Sequence, residues 1–141
     1  MNILFLCKYN RFRSRVAEAY FKKINNDMNI IAESAGLIEG FLPLDKNEVE
    51  TTEREAGISI LGKPRTISMD LLDKQDIIVV VADDFPKDVL NHHWYKDKVI
   101  YWDIRDNKHS SDNEEIKIII REIIKRVEEL NDRFRDDNQK S

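Results

Sequence analysis

Cysteine is nearly absent. The one at position 7 leaves no partner for an internal disulfide and fits a reducing cytoplasm. Long apolar runs are missing too, and none approaches the ~20 residues of a membrane span, so no membrane partner is expected. Charge of one sign does not accumulate. The chain has 23 Lys and Arg against 27 Asp and Glu, mixed along its length, which excludes a nucleic-acid footprint. Metal ligands are scarce: His92 and His93 are adjacent and His109 stands alone, so neither a metal nor another cofactor is expected. No segment repeats and none is of low complexity. The start reads as a strand with no basic region ahead of an apolar one, unlike a signal peptide. What remains suits one domain over residues 1–135 around one core, with a tail at 136–141 expected to fray.

Against that background one stretch stands out, Cys7-Lys8-Tyr9-Asn10-Arg11-Phe12-Arg13-Ser14. It follows the apolar run Ile3-Leu4-Phe5-Leu6 and precedes a helical pattern that starts near Arg13. There Val16, Tyr20 and Ile24 share a stripe with Ala17 and Phe21. A cysteine therefore sits where a buried strand ends and a short loop opens a helix. Backbone N–H groups and the helix dipole favour an anion at such a junction. Arg13 can fork onto two oxygens of a tetrahedral anion such as phosphate or sulfate. Positive potential of this kind favours the thiolate form of a cysteine, and a thiolate beneath a bound phosphate is a nucleophile in line for displacement.

The rest of the chain alternates strand and helix patterns. Strands are predicted at Asn2–Leu6, Met28–Glu33, Asp76–Ala82 and Lys98–Trp102. Helices are predicted at 13–25, Asp45–Ala56 with Gly57 as its stop, a short one capped by Ser68, another starting at Pro86, and Glu114–Phe134. The expected fold is α/β: a three-layer sandwich whose parallel sheet carries helices on both faces. Cys7, Ser34, Asp83 and Asp103/Asp106 all fall at C-terminal strand ends, where such sheets bind ligands.

Cys-x5-Arg-Ser at a strand–helix junction, followed by Ala17-Glu18-Ala19, resembles the low molecular weight protein tyrosine phosphatases. That family shares its fold with the thioredoxin-coupled arsenate reductases. The resemblance covers essentially the whole domain and implies four strands in the order 2-1-3-4. It implies Cys7 as nucleophile, Arg13 and the loop from Lys8 to Ser14 (Tyr9, Asn10, Arg11 and Phe12 between them) as the phosphate cradle, and Ser14 as hydrogen-bond donor to the sulfur. It also implies that Ser34, in Ser34-Ala35-Gly36, bonds Asn10 and holds the loop. An aspartate after the fourth strand would be the general acid. Spacing from Trp102 makes this Asp106, with Asp103 as the fallback and Asn107 where the family carries proline. The partners implied are a phosphorylated protein or a small phosphate ester.

Some positions depart from the family pattern. Tyr9 stands at a usual glycine, a residue used for positive φ or close approach. Phe12 stands where a second cysteine is common. Tyr9 and Phe41 are candidates for the wall of the substrate pocket, since Lys108–Ser111 is polar where aromatics are usual. Two other functions fit the same loop. One is arsenate reduction with an external small thiol, because the relay cysteines of the thioredoxin-coupled kind are missing. The other is a non-catalytic phosphate- or nucleotide-binding module.

Overall fold

A computed structural model describes residues 1–40, 42–107 and 112–139. The sheet has four parallel strands, β1 (Asn2–Cys7), β2 (Ile31–Gly36), β3 (Ile77–Val81) and β4 (Val99–Trp102). Their order is β2-β1-β3-β4, as expected. Side chains alternate between its faces. Ile3, Phe5, Val79, Val81 and Trp102 join one core cluster, whereas Leu4, Leu6, Ile78 and Val80 join another. Both sets are fully or nearly fully buried, which explains why β1 and β3 read as apolar runs without alternation.

Three helices cover the first face: α1 (Arg13–Ile24), α2 (Lys46–Ala56) and, last in the chain, the helix Asn113–Gln139. The last of these buries Ile116, Ile119, Ile120, Ile123 and Val127 completely in that cluster. Burying a side chain of this size contributes about 1.5–3 kcal/mol. The second face is closed by α3 (Met69–Asp73), through Leu71 and Leu72, and by Phe85, Leu90 and Tyr95. The helix Asn113–Gln139 is α4.

Several boundaries differ from expectation. β2 starts later than the predicted Met28, and Ser34-Ala35-Gly36 lies inside it rather than after it. Turn chemistry wins at 27–30: Asp27 accepts from the Asn29 amide at 2.9 Å, and Met28 is left exposed. The Pro86 segment is one 3₁₀ turn, Lys87–Val89. α4 runs on through Gln139, so the tail expected to fray from Asp136 is helical up to that point.

α2 is the informative surprise. Of its expected apolar face, Val49 and Ala56, only Ala56 is buried; Val49 stays half-buried, and the helix turns Glu48, Thr51 and Thr52 inward instead. Asp45 caps it in a reciprocal capping box with Glu48, and Gly57 ends it at φ 65°.

Candidate active site

Cys7 is the last residue of β1 and is 2% exposed. Beyond it the chain bends through residues 8–12 and enters α1 at Arg13. The bend is seated on Gly36, the register partner of Cys7. A Cβ at Gly36 would lie 2.6 Å from both the Asn10 nitrogen and the Tyr9 carbonyl carbon, so only glycine lets the two backbones meet. The positive φ expected from the family's glycine position is not at Tyr9. It falls on Asn10, at 52°, a conformation asparagine tolerates better than most residues.

The Asn10 side chain then organises the loop. Its Nδ2 donates to Ser14 Oγ at 2.9 Å and to Ser34 Oγ at 3.0 Å, while its Oδ1 accepts from the Arg65 amide at 3.0 Å. Ser34 Oγ in turn donates to Glu18. Ser14 Oγ lies 2.9 Å from Cys7 Sγ. Because Ser14 already accepts from Asn10, its own proton is free to point at the sulfur. The Asn10–Ser34 bond implied by the family resemblance is thus present, and Glu18 extends it.

Arg13, 5% exposed, reaches from the start of α1 across to the loops after β3 and β4. It donates to the Ile104 carbonyl and to Asp84 Oδ1, both at 2.9 Å. The expected supporting residue Asp83 is farther, at 3.7 Å, and Asp84 is the bonded carboxylate. Cys7, Tyr9, Arg11, Phe12, Arg13 and Asp106 line one depression. Asp106 is half-buried there, whereas Asp103 is exposed and lines no part of it. Lys8 turns aside, with its Nζ 5.3 Å from the centre of the Tyr9 ring. Phe41, the other expected pocket wall, lies outside the described residues. No group of three or more His, Cys, Asp or Glu able to hold a metal occurs among the described residues.

One residue escaped the sequence reading. Glu48 is fully buried and accepts four hydrogen bonds. Two come from Arg11, at 2.8 and 2.5 Å, one from the Asp45 amide at 2.8 Å and one from Asn107 Nδ2 at 3.0 Å. Arg11 belongs to the cysteine loop and Asn107 adjoins Asp106, so a single carboxylate ties the cysteine loop to the loop that carries Asp106. The capping-box spacing from Asp45 to Glu48 was the available signal, but it pointed only to a helix start.

Residues 2–140 match the low molecular weight phosphotyrosine protein phosphatase family. The chain belongs to that family. No curated protein sequence matches it. Among solved structures, the YwlE arginine phosphatase from Geobacillus stearothermophilus is similar at TM-score 0.84 and 15% identity, covering 99% of this chain and 96% of that one. A low molecular weight protein tyrosine phosphatase from T. tengcongensis reaches 0.80 at 23% identity, covering 94% and 99%. An arsenate reductase from Archaeoglobus fulgidus reaches 0.66 at 29% identity, covering 92% and 98%. No helix among the described residues is long and apolar enough to cross a membrane.

Proposed function

We propose that this family member hydrolyses phosphate monoesters, phosphotyrosine or a similar ester, through a cysteinyl-phosphate intermediate. The observation that carries the reading is the shared depression of Cys7, Arg13 and Asp106, with Ser14 hydrogen-bonded to the sulfur from behind. The Cys7 thiolate attacks phosphorus, the S–P bond forms, and the bond to the ester oxygen breaks. Asp106 gives its proton to that leaving oxygen. Arg13 and the loop amides hold the equatorial oxygens. Water then attacks the cysteinyl phosphate and loses a proton to the Asp106 carboxylate. The S–P bond breaks, and Ser14 donates a hydrogen bond to the departing sulfur.

Asp84 and the Ile104 carbonyl orient Arg13, which arrives at the site already partly desolvated. A single thiol as the whole redox inventory suits work in a reducing cytoplasm. The substrate would be a phosphorylated protein or small ester.

The experiment is hydrolysis of p-nitrophenyl phosphate by wild type and by Cys7→Ser and Arg13→Ala, followed by phosphotyrosine and phosphoarginine peptides. Wild type turns over the ester, and both variants fold but lose turnover. Cys7→Ser activity comparable with wild type would overturn the thiolate mechanism. No turnover by wild type, with phosphate still bound, would mark a binding module. Arsenite release from arsenate dependent on a small external thiol would mark a reductase.

A further inference from the structure

On the far side of the cysteine loop, α1 and the 59–65 segment enclose a second depression of about 370 Å³. Asn10 and Ser34 lie on its floor, and its charged lining is Arg15, Lys22, Lys63, Arg65 and Glu18. Four cations thus face one carboxylate. That carboxylate is engaged already, by Lys22 at 2.5 Å and by the Ser34 hydroxyl. Arg65 is paired with Glu33 at 2.7 Å. Among the described residues Lys63 makes no ion pair, which leaves its charge and that of Arg15 uncompensated by a direct partner.

Arg15 is the telling residue. It is only 9% exposed, yet its guanidinium donates no hydrogen bond to any described residue. The other two buried arginines behave differently. Arg11 and Arg13 are each held by a carboxylate and a backbone carbonyl. The Arg15 N–H groups are not sealed off, because none is among the buried atoms left without a partner. They open onto the depression, where the planar fork rests against Gly62. A Cβ on that glycine would lie 2.6 Å from Nη2. Burial lowers the Arg15 pKa from its ordinary value, and the charges of Glu18 and Cys7 act in the opposite direction; a guanidinium remains a cation throughout. A guanidinium held this way is matched to the oxygens of a phosphate, which it can meet two at a time.

We propose that this depression is a second anion site, distinct from the Cys7 pocket, that takes a small phosphorylated molecule through Arg15 and Lys63. The volume is at the lower end of the range for small-molecule sites. It accommodates one or two phosphoryl groups, and the open rim leaves the remainder of the molecule in solvent. Asn10 and Ser34 are shared between this floor and the hydrogen-bonded chain that ends on Cys7.

Inorganic pyrophosphate is the probe, titrated into the full chain while backbone amides and the arginine Nε–H signals are followed by ¹H–¹⁵N NMR. Two saturable sets of shifts are expected, one at residues 8–14 and one at Gly62, Lys63 and Arg15. Arg15→Met raises the dissociation constant of the second set at least tenfold and spares the first. Arg13→Met does the reverse. Lys63→Met, on an exposed side chain that cannot disturb the fold, weakens the second set several-fold and keeps the test decisive should Arg15→Met fold poorly. Amides of Gly62 and Lys63 that stay still, or that titrate identically in Lys63→Met and Arg15→Met and in wild type, would overturn the proposal.

Discussion

Asn107 donates to Glu48 at 3.0 Å, and with that bond the residue beside Asp106 shares a carboxylate with Arg11 of the cysteine loop. The family's proline at this position would preset the backbone by restricting φ. Here a side-chain bond to a buried acid does the corresponding work.

Glu48→Ala leaves the Arg11 guanidinium buried without its partner. Breaking one side of such a pair costs about 3–5 kcal/mol. Urea unfolding should show a loss of this size. Glu48→Gln keeps the shape and one acceptor oxygen, and should cost less while still slowing turnover. Unfolding midpoints unchanged in both variants would mean that the Arg11–Glu48 pair contributes nothing.

Asp106 is tested by leaving group. General acid catalysis is worth about 10²–10⁴-fold. Asp106→Asn should lower kcat/KM for phenyl or alkyl phosphate by that order, and for p-nitrophenyl phosphate, whose leaving group needs little protonation, by much less. It should also flatten one limb of the pH–rate profile. Asp103→Asn should do neither, since Asp103 is exposed and outside the depression. A steep leaving-group dependence in Asp103→Asn instead would exchange the two roles.

Gly36→Ala puts a methyl group 2.6 Å from two backbone atoms of the cysteine loop, and neither can rotate away. The loop must shift as a body. A displacement near 1 Å costs on the order of 10²-fold in rate. We expect kcat/KM to fall by about that factor while far-UV circular dichroism is retained. Wild-type turnover in Gly36→Ala would mean that the loop has slack.

Glu33 supplies a pH-dependent term. Burial pushes its pKa up, but hydrogen bonds and charge from Arg65 and Lys74 outweigh this, and the net shift is downward. A carboxyl held lower in the folded state than its ordinary 4.5 adds stability above that value and loses it as pH falls through the folded pKa. Its cationic partners are about half exposed, so the contribution is about 0.2–1 kcal/mol. Glu33→Gln should be less stable than wild type at neutral pH, and the two should converge in acid. A gap that widens below pH 4 would reverse the assignment.

Sequence reading succeeded where the signal is local. β1 and β3 are apolar on both faces, and Cys7 to Ser14 is contiguous, so the central strands and the cysteine loop could be placed, while the strand order came from the family resemblance. It fell short where the partner is remote. Glu48 reads as an ordinary solvated helix residue because Arg11 and Asn107 lie far from it along the chain. Asp83 and Asp84 are neighbours at one strand end, and nothing in their order tells which faces Arg13. The start of β2 was misplaced because β-propensity at Met28 and Ile30 competed with an Asp27 turn that only backbone pairing resolves. Tyr9 looked like the strained position because the family's glycine stands there, yet the strain moved one residue along.

That shift makes position 10 unusually exacting. Its backbone needs a left-handed conformation, and its side chain must both donate two hydrogen bonds and accept one. Glycine meets the first demand and fails the second. Aspartate adopts the backbone but has no proton to give when ionised, and it would set a negative charge beside the sulfur. Glutamine has the right chemistry on a side chain one methylene too long, without asparagine's tolerance of positive φ. Of the twenty amino acids, one satisfies backbone and side chain together, so this position should tolerate no neutral drift.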